Sequence, residues 1–502
     1  MAQTAWAGIM ANNLTTRPTW PQSSPSPGMA VVDHPRYPLS DVRQWEMSAL
    51  MVAPTAIEMA KELTHLGVKA DVMIQPNDGG ANIVALQNYM RTYFPPTEVV
   101  YFAIELLAST HSFFRAKQMG DEEFRRYLFS TLMTRKNKRV HALPACIQEV
   151  PGGVFVLCGP SGAGKTAFWV RYVARLPKPF VLKTSMERGL ESLAGIWVIP
   201  VVHISYPVCG TVKGLARDLR DHFVRIIDDV RNEEDEFDHL PPLPDMLAGE
   251  PMNAVINACV SLNVGLFVLD GAGIRHSNTQ SYEVLEFLLK LREKGGVPVA
   301  LSCTAAFLKS IEHLETTYAN LTNSTMINLE PIPAPSPKPS PGADGKTPPD
   351  FDVFRQMCRN WWAAGLLGRK STMPDKLEYW IHEITQGNNR FTATAHYAIQ
   401  KYIATNCAAA PESNTPYTFN TAALSRDIVE TVIRQSLFGS KGALTAIATA
   451  MNLPSSDELG ATPVISTDIL NYVDYLPTSQ IQKQRISAWV TPQQNAPRKR
   501  RK

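Results

Sequence analysis

The stretch FVLCGPSGAGKTAFWVRYVARL, residues 155–176, changes its pattern twice and decides how the rest of the chain is interpreted. The apolar run from Phe155 to Cys158 predicts a buried strand, and a helical pattern begins at Lys165. Between them lies a complete G-x-x-x-x-G-K-T motif, whose glycines let successive backbone amides point at phosphate oxygens. A chance glycine-rich turn is the alternative. However, a strand before the loop and a helix after it are what phosphate binding requires.

The motif predicts a nucleotide site with bound metal. Lys165 supplies a point charge for the β- and γ-phosphates, and Thr166 offers its hydroxyl to Mg²⁺. The amino-terminal end of the following helix adds a partial positive charge. We therefore expect ATP and Mg²⁺ as cofactors. The predicted ATP-binding residues of this loop are Gly159, Pro160, Ser161, Gly162, Ala163, Gly164, Lys165, Thr166 and Ala167.

Short apolar runs alternate with helical patterns around and after this loop. Runs rich in Val, Ile, Leu and Phe are typical of strands buried on both faces, so we predict an α/β fold with a five-stranded parallel sheet covered by helices. The predicted strands are Val154–Cys158, Trp197–Tyr206, Gly265–Asp270, Val297–Cys303 and Thr325–Leu329. The predicted helices are Lys165–Leu176, Thr211–Arg231, Met252–Leu262, Ser281–Lys294 and Ala305–Leu314.

The third predicted strand, in GLFVLDGAG at residues 265–273, ends in an acid. P-loop NTPases hold Mg²⁺ with such an acid, so Asp270 is a candidate metal-binding and catalytic residue. The alternative is an aspartate that merely ends a strand. In most ATPases of this layout a glutamate follows and polarises the attacking water. Here Gly271 follows, and the next carboxylate is Glu283.

Two further groups of a hydrolytic site are expected in the region that begins at the end of the fourth strand: a polar side chain at the strand tip and an arginine before the last strand. Ser302 and Thr304 lie at the tip of that strand, where a hydroxyl can contact the γ-phosphate or the attacking water, the sensor-1 role. The alternative is a hydroxyl that caps the following helix. Both interpretations stay open for Thr304, and we favour the cap for Ser302. Ring and filament ATPases usually place an arginine before the last strand to reach a neighbouring subunit. The matching residues 312–332 contain no Arg or Lys.

A helical region after the core has the features of a lid. The sequence ITQGNNR, residues 384–390, places Arg390 at a helix start, where it resembles a sensor-2 residue that reaches the γ-phosphate. A solvent-exposed arginine is the alternative.

Composition and pattern shifts divide the chain into six predicted segments. Residues 331–350 contain eight prolines and predict a stiff connector. We predict a mobile N-terminal segment (1–45), a helical N-terminal region (46–140), the nucleotide-binding core (141–332), a Pro-rich linker (333–350), a helical lid (351–438) and a C-terminal tail (439–502). The stretch ILNYVDYLPTSQIQKQRISAWV in that tail is a candidate segment for docking a partner.

The overall composition limits the class of protein. The 502 residues carry a net charge of +3, too small to indicate nucleic-acid binding by itself, although residues 498–502 form a basic tail. The seven cysteines contain no CxxC pair and are interpreted as small core residues of a reducing compartment. We find no signal peptide or apolar span, so we expect a soluble intracellular protein with no membrane partner.

The order of these motifs resembles the AAA+ ATPases of transposition, the TnsC/TniB family. The similarity covers roughly residues 94–405. It includes GPSGAGKT, the strand and helix from Trp197 to Phe223, GLFVLDGAG, VPVALSCTAAF and the lid sequence EITQGNNR. The stretches YFPPTEVVYFAIELLASTHSFF and MTRKNKR are similar to the region ahead of the ATPase core in that family.

The resemblance implies an AAA+ core in a bacterial, cytoplasmic regulator of transposition. Such a regulator binds ATP and forms homo-oligomeric rings or filaments on double-stranded DNA. It connects a target-selection protein to the transposase. Because Gly271 replaces the glutamate and no inter-subunit arginine is visible, we expect slow or partner-dependent hydrolysis, with ATP acting mainly as a conformational ligand.

Binding along DNA would rest on phosphate contacts. The candidate DNA-binding residues are Arg275, His276, Lys290, Arg292 and Lys294, together with the basic cluster at 135–139; solvated surface is the alternative for each. Other functions stay open: a helicase loader, an origin-binding AAA+ ATPase, or a signalling NTPase scaffold of the STAND type. The origin-binding alternative predicts a winged domain and the scaffold predicts repeats, and the sequence suggests neither.

Overall fold

The parallel sheet predicted from the alternating pattern forms the centre of the protein in a computed structural model. The structure describes residues 54–68, 79–117, 122–132, 140–149, 152–182, 196–208, 210–230, 250–277, 279–323, 325–337, 352–367, 372–406, 421, 424–451 and 471–482. The predicted mobile segment 1–45, the basic cluster 135–139 and the basic tail 498–502 lie outside these residues.

Five strands form the sheet in the order β4-β5-β6-β1-β7, and every neighbouring pair is parallel. All five residues of β1 and all five of β6 are buried, as expected for strands covered on both faces. The strands of the structure are β1 Val154–Cys158, β2 Phe180–Leu182, β3 Ile196–Val198, β4 Val202–Ser205, β5 Phe267–Ala272, β6 Val299–Cys303 and β7 Thr325–Asn328.

One strand prediction was wrong. The run Trp197–Tyr206 forms two strands that separate at Pro200, a residue with no amide to donate to a neighbouring strand. The first piece, β3, pairs antiparallel with β2 in a separate two-stranded sheet, and only β4 joins the main sheet beside β5.

Helices surround the sheet and extend on both sides of the core. Before and within the core they are α1 Ala56–Leu63, α2 Gly79–Ala85, α3 Thr97–Ala116, α4 Glu122–Leu132, α5 Ala145–Gln148, α6 Lys165–Arg175, α7 Val212–Val230, α8 Pro251–Ser261, α9 Thr279–Gly295, α10 Ala305–Ser310 and α11 Glu315–Thr322. Beyond the core they are α12 Val353–Ala363, α13 Leu377–Thr385, α14 Asn389–Asn406, α15 Arg426–Ser436, α16 Lys441–Met451 and α17 Thr478–Gln482.

Two apolar clusters hold these elements together. The first joins the sheet to the N-terminal helices: Phe102 of α3 packs against Phe155 of β1 and Trp169 of α6. The buried residues Cys158, Cys259 and Cys303 belong to this cluster, as predicted for small core cysteines. The second cluster fills the space between helices α12–α16. The predicted α/β fold class, with a five-stranded parallel sheet, a helical lid and helical flanks, is therefore confirmed.

The lid also contains a buried ion pair. Arg355 of α12 and Glu378 of α13 are each 1% exposed, and Arg355 Nε donates to Glu378 Oε1 at 3.0 Å. The Arg355 guanidinium also donates to the carbonyl of Ser336 and to the Tyr379 hydroxyl. These bonds tie the lid to the start of the Pro-rich connector.

The described part of the predicted C-terminal tail packs onto the rest of the protein. Residues 471–482, called here the C-terminal segment, bury Val473, Leu476 and Ile481 in the core cluster. The sequence prediction for this stretch was a docking segment for a partner, because it has enough apolar residues for that role and the family resemblance implies docking of the transposase. In the structure the side chains of Val473, Leu476 and Ile481 are covered by the protein itself. Residues 469–470 and 483–490 of that stretch lie outside the described residues.

His396 of α14 gives the protein a predicted dependence on pH. Its ring is fully buried and stacks on Trp361 with centroids 6.0 Å apart, and burial lowers its pKa to about 3. A histidine in the unfolded chain titrates near pH 6.5, so the unfolded state binds the extra proton first as the pH falls. We therefore expect His396 to lower the free energy of unfolding by about 1.4 kcal/mol for each pH unit that the pH falls between pH 6 and pH 4. Urea unfolding of the parent and His396→Phe over this range measures the slope, and equal slopes would contradict this origin.

No helix among the residues that the structure describes is both long enough and apolar enough to cross a membrane.

Candidate nucleotide-binding site

The glycine-rich loop lies between β1 and α6, at the carboxyl edge of the sheet. Gly164 has a φ of 99° and immediately precedes α6, where a residue with a side chain would be strained. Gly162, with a φ of 87°, lies so close to the lid that an added Cβ would be 2.6 Å from Asn388 Oδ1. Glycine at these two positions therefore serves both the loop conformation and the approach of the lid.

Lys165, the first residue of α6, points back into the loop. Its ammonium donates to the carbonyls of Gly159 at 2.7 Å and Pro160 at 2.9 Å. The side chain is buried, and this burial lowers its pKa, while nearby negative charges that include Asp270 and Asp474 act in the opposite direction. The charge predicted to bind the β- and γ-phosphates is thus held within the loop.

Asp270 lies in β5, opposite Ser205 of β4, and is 5% exposed. Burial tends to raise the pKa of its carboxyl, but His203, Ser302 and Thr166 together shift the pKa below its usual value. His203 Nε2 lies 3.6 Å from Oδ2, whereas the buried Oδ1 has no hydrogen-bond partner among the described residues. A buried anionic oxygen without a donor, near the Thr166 hydroxyl, fits the chemistry of a Mg²⁺ site.

Sequence reasoning missed His203. The residue faces Asp270 because β4 and β5 are adjacent, and strand adjacency was not specified by the sequence pattern. A histidine in an alternating apolar strand was the available signal, and it was not used.

The backbone at position 271, directly after Asp270, has a conformation that suits glycine. Gly271 has a φ of 90°, and the pairing of β5 with β6 is irregular between Leu269 and Ala272. Residues other than glycine rarely adopt this backbone conformation, so a glutamate at position 271 would be strained. An added Cβ at Gly271 would have no atom within 4 Å, so space is not the reason.

The tip of β6 carries the two hydroxyls considered in the sequence. Thr304 caps α10: its Oγ1 accepts from Phe307 N at 3.3 Å. The same hydroxyl donates to Asp474 Oδ1 at 2.5 Å. The preference for Ser302 as a helix cap was wrong, because Ser302 is inside β6 and its buried side chain lies beside Asp270.

The start of α14 contacts the phosphate-binding loop. Asn388 Nδ2 donates to the carbonyl of Ser161 at 3.0 Å, and Asn389 Nδ2 donates to that of Ala163 at 2.9 Å. The amide of Arg390 donates to the carbonyl of Gly162 at 2.9 Å, while its side chain is exposed. The lid sequence therefore does lie at the loop, and its hydrogen bonds to the loop come from two asparagine side chains and the backbone amide of Arg390.

The DNA-binding candidates occupy two separate places. Arg275 is exposed in the short turn after β5, at the carboxyl edge of the sheet. His276 beside it is 2% exposed, accepts from Gly273 N, and has its pKa lowered to about 4 mainly by burial, so the side chain is a neutral part of the interior.

The other three candidates lie at the far end of α9. Lys290 pairs with Glu286, and Arg292 Nε donates to the carbonyl of Gly152, just before β1. Lys294 is exposed. Because α9 runs antiparallel to the strands, these residues lie at the opposite sheet edge from Arg275. They do not share one surface with it.

The largest omission from the sequence reasoning is Asp474. Its carboxylate lies between the ends of β5 and β6, where it accepts from Thr304 Oγ1 and Ile274 N. Its backbone carbonyl accepts from Ser161 N of the loop at 2.6 Å. The residue comes from the C-terminal segment, and a lone aspartate among apolar residues gave no local signal.

No protein-family model matches the sequence, and no curated protein matches it. Similar solved structures include a Walker-type ATPase of Pyrococcus abyssi, with TM-score 0.35 and 12% identity over 73% of this chain and 90% of the other. Cdc6p from Pyrobaculum aerophilum has TM-score 0.30 and 11% identity over 73% and 98% of the two chains. Drosophila ORC bound to DNA has TM-score 0.29 and 11% identity over 78% and 84%.

These similarities are too low to carry an argument about function. The sheet order, the loop at the tip of β1 and the contacts of the lid are the observations on which a function can be based. They are the arrangement expected of a P-loop ATPase core with a helical lid.

Proposed function

We propose that this protein is an ATP-binding AAA+ regulator of DNA transposition. It assembles as a homo-oligomer on double-stranded DNA and connects a target-selection protein to the transposase. ATP occupancy, rather than rapid hydrolysis, is its signal. The transposition role follows from the motif order resembling the TnsC/TniB family, and the ATP-dependent behaviour follows from the site.

The observation that carries the proposal is the direct attachment of the lid to the phosphate-binding loop. Asn388 and Asn389 bind carbonyls of the same loop whose amides are expected to receive phosphate. A ligand that changes the conformation of the loop therefore also changes the contacts between the loop and α14. A ligand shifts a conformational equilibrium by its differential affinity for the two states, and these contacts supply a route for that difference.

Slow hydrolysis is supported by the groups around the loop. Residues 312–332 contain no arginine or lysine that could reach the nucleotide of a neighbouring subunit. Phosphoryl transfer depends on a positioned water and on neutralised charge. With charge neutralisation weakened, ATP stays bound long enough to maintain an assembled state.

DNA contact in this proposal is made to backbone phosphates, so it is independent of sequence and sensitive to salt. Arg275 and Lys294 are the exposed candidates among the described residues. His276 is not included, because its imidazole is buried and its pKa is lowered to about 4.

The test is assembly on duplex DNA without nucleotide, with ATP and with a non-hydrolysable analogue, observed by negative-stain microscopy and sedimentation. We expect ATP and the analogue to produce assemblies of equal extent on DNAs of unrelated sequence. Affinity should fall steeply between 50 mM and 200 mM salt. Equal assembly without nucleotide would contradict the proposal. Dependence on one DNA sequence would favour an origin-binding function.

A further inference from the structure

The C-terminal segment is held in place by contacts that do not involve the Asp474 side chain. Val473, Leu476 and Ile481 are each at most 4% exposed within the core cluster. Tyr475 stacks on Phe391 of the lid, with centroids 6.0 Å apart and an interplanar angle of 11°. Ser479 N donates to Glu330 Oε1 at 2.8 Å. The backbone at residue 474 is therefore fixed by its neighbours, independently of the Asp474 side chain.

The carboxylate of Asp474 is fixed at the carboxyl edge of the sheet. Oδ1 accepts from Thr304 Oγ1 at 2.5 Å and from Ile274 N at 3.0 Å, and Oδ2 lies 3.2 Å from the same amide. Gly273 permits this approach, since an added Cβ there would lie 2.8 Å from Oδ2. A carboxylate accepts about four hydrogen bonds, so capacity for a water molecule remains.

This carboxylate lies where the site otherwise lacks an acid. It is held by residues that follow β5 and β6, and Gly271 belongs to the first of these strands. Its own backbone carbonyl is bonded to Ser161 of the phosphate-binding loop at 2.6 Å. The carboxylate therefore lies beside the loop at the carboxyl edge of the sheet, close enough to Lys165 to act on the pKa of its ammonium.

On the basis of the ATP binding in the proposed function, we propose that Asp474 is the catalytic carboxylate that orients and deprotonates the attacking water. The water oxygen bonds to the γ-phosphorus as the bridging P–O bond breaks, and the bond's electron pair leaves with ADP. One water proton passes to Asp474 and from there to solvent. The acid missing after Asp270 is thus supplied by a segment distant in the sequence.

The segment occupies one of the loop amides predicted to bind phosphate, so phosphate binding with the segment in place depends on other donors. The segment takes the amide of Ser161, and Ala163 N donates to Pro160 O at 3.1 Å. The first amides of α6 have no partner within the helix, and they form the positive end that attracts phosphate. The segment therefore does not have to leave for ATP to bind.

The test compares Asp474→Asn, Asp474→Glu and the parent in single-turnover ATP hydrolysis, with ATP affinity and hydrogen exchange of residues 471–482 measured in parallel. A positioned base contributes roughly 100-fold or more, so we expect Asp474→Asn to slow hydrolysis by about that factor. Its ATP affinity should stay within about threefold of the parent value, and the exchange of the segment should be unchanged. Asp474→Glu, which keeps the carboxylate, should retain more activity than Asp474→Asn.

Glu330→Gln is the matched control. It also converts a carboxylate to an amide, and Glu330 Oε1 accepts from Ser479 N of the same segment. We expect its hydrolysis rate to match the parent. An unchanged rate in Asp474→Asn overturns the inference, and so does a faster rate, which would mean that the segment restrains the site. A parent that binds ATP without any turnover also overturns it, whereas a parent that binds no ATP removes the proposed function.

Discussion

Lys165→Ala is expected to lower the affinity for ATP–Mg²⁺ by about 100-fold, corresponding to the loss of charge-assisted hydrogen bonds worth up to about 3 kcal/mol. The ammonium is buried in the loop within reach of the carbonyls of Gly159 and Pro160. Alanine removes the charge where the β- and γ-phosphates are expected to bind. Fluorescence titration with a labelled ATP analogue measures the change.

Lys213→Ala is the matched control for this substitution. It removes an exposed lysine of α7 and should leave the affinity for ATP unchanged. The melting temperature of both variants without nucleotide separates a loss of binding from a loss of folding. Equal affinity in Lys165→Ala and the parent would mean that the loop does not hold the triphosphate.

Glu378→Ala is expected to destabilise the lid by about 3–5 kcal/mol, because it leaves Arg355 charged and buried without its carboxylate. Both side chains are 1% exposed, so water cannot replace the lost partner. Urea unfolding followed by tryptophan fluorescence measures the change, since Trp361 and Trp362 are buried in the lid and Trp169 is buried in the core cluster.

Two comparisons make this prediction specific to burial. The double variant Arg355→Met/Glu378→Leu removes both charges and should be much closer to the parent in stability. Arg426→Ala breaks an exposed pair with Glu430 in the same lid and should barely move the unfolding midpoint. If Glu378→Ala unfolds like Arg426→Ala, the pair is not buried in solution.

Local patterns were sufficient to predict much of the fold. A strand, a glycine-rich loop and a helix follow one another within residues 154–175, and the chemistry of each is contained in adjacent residues. The same holds for β5 and Asp270. The division at Pro200 was missed although the proline is visible in the sequence, because the apolar run on both sides was interpreted as continuous.

The parts of the site that sequence reasoning missed depend on tertiary placement. His203 meets Asp270 only because β4 is the neighbour of β5, and Asn388 meets the loop only because the lid folds back onto it. Asp474 reaches Thr304 across 170 positions of sequence. No periodicity or spacing predicts such contacts, whereas Gly271 could be recognised as unusual from its position alone.

Both the proposed function and the proposed role of Asp474 require that the loop between β1 and α6 binds a nucleoside triphosphate. Isothermal titration calorimetry of the full chain with ATP in the presence of Mg²⁺ tests it most directly. We predict saturable binding of one ATP per chain, with an affinity about 100-fold lower in Lys165→Ala. The absence of measurable binding to a folded parent protein would contradict the account.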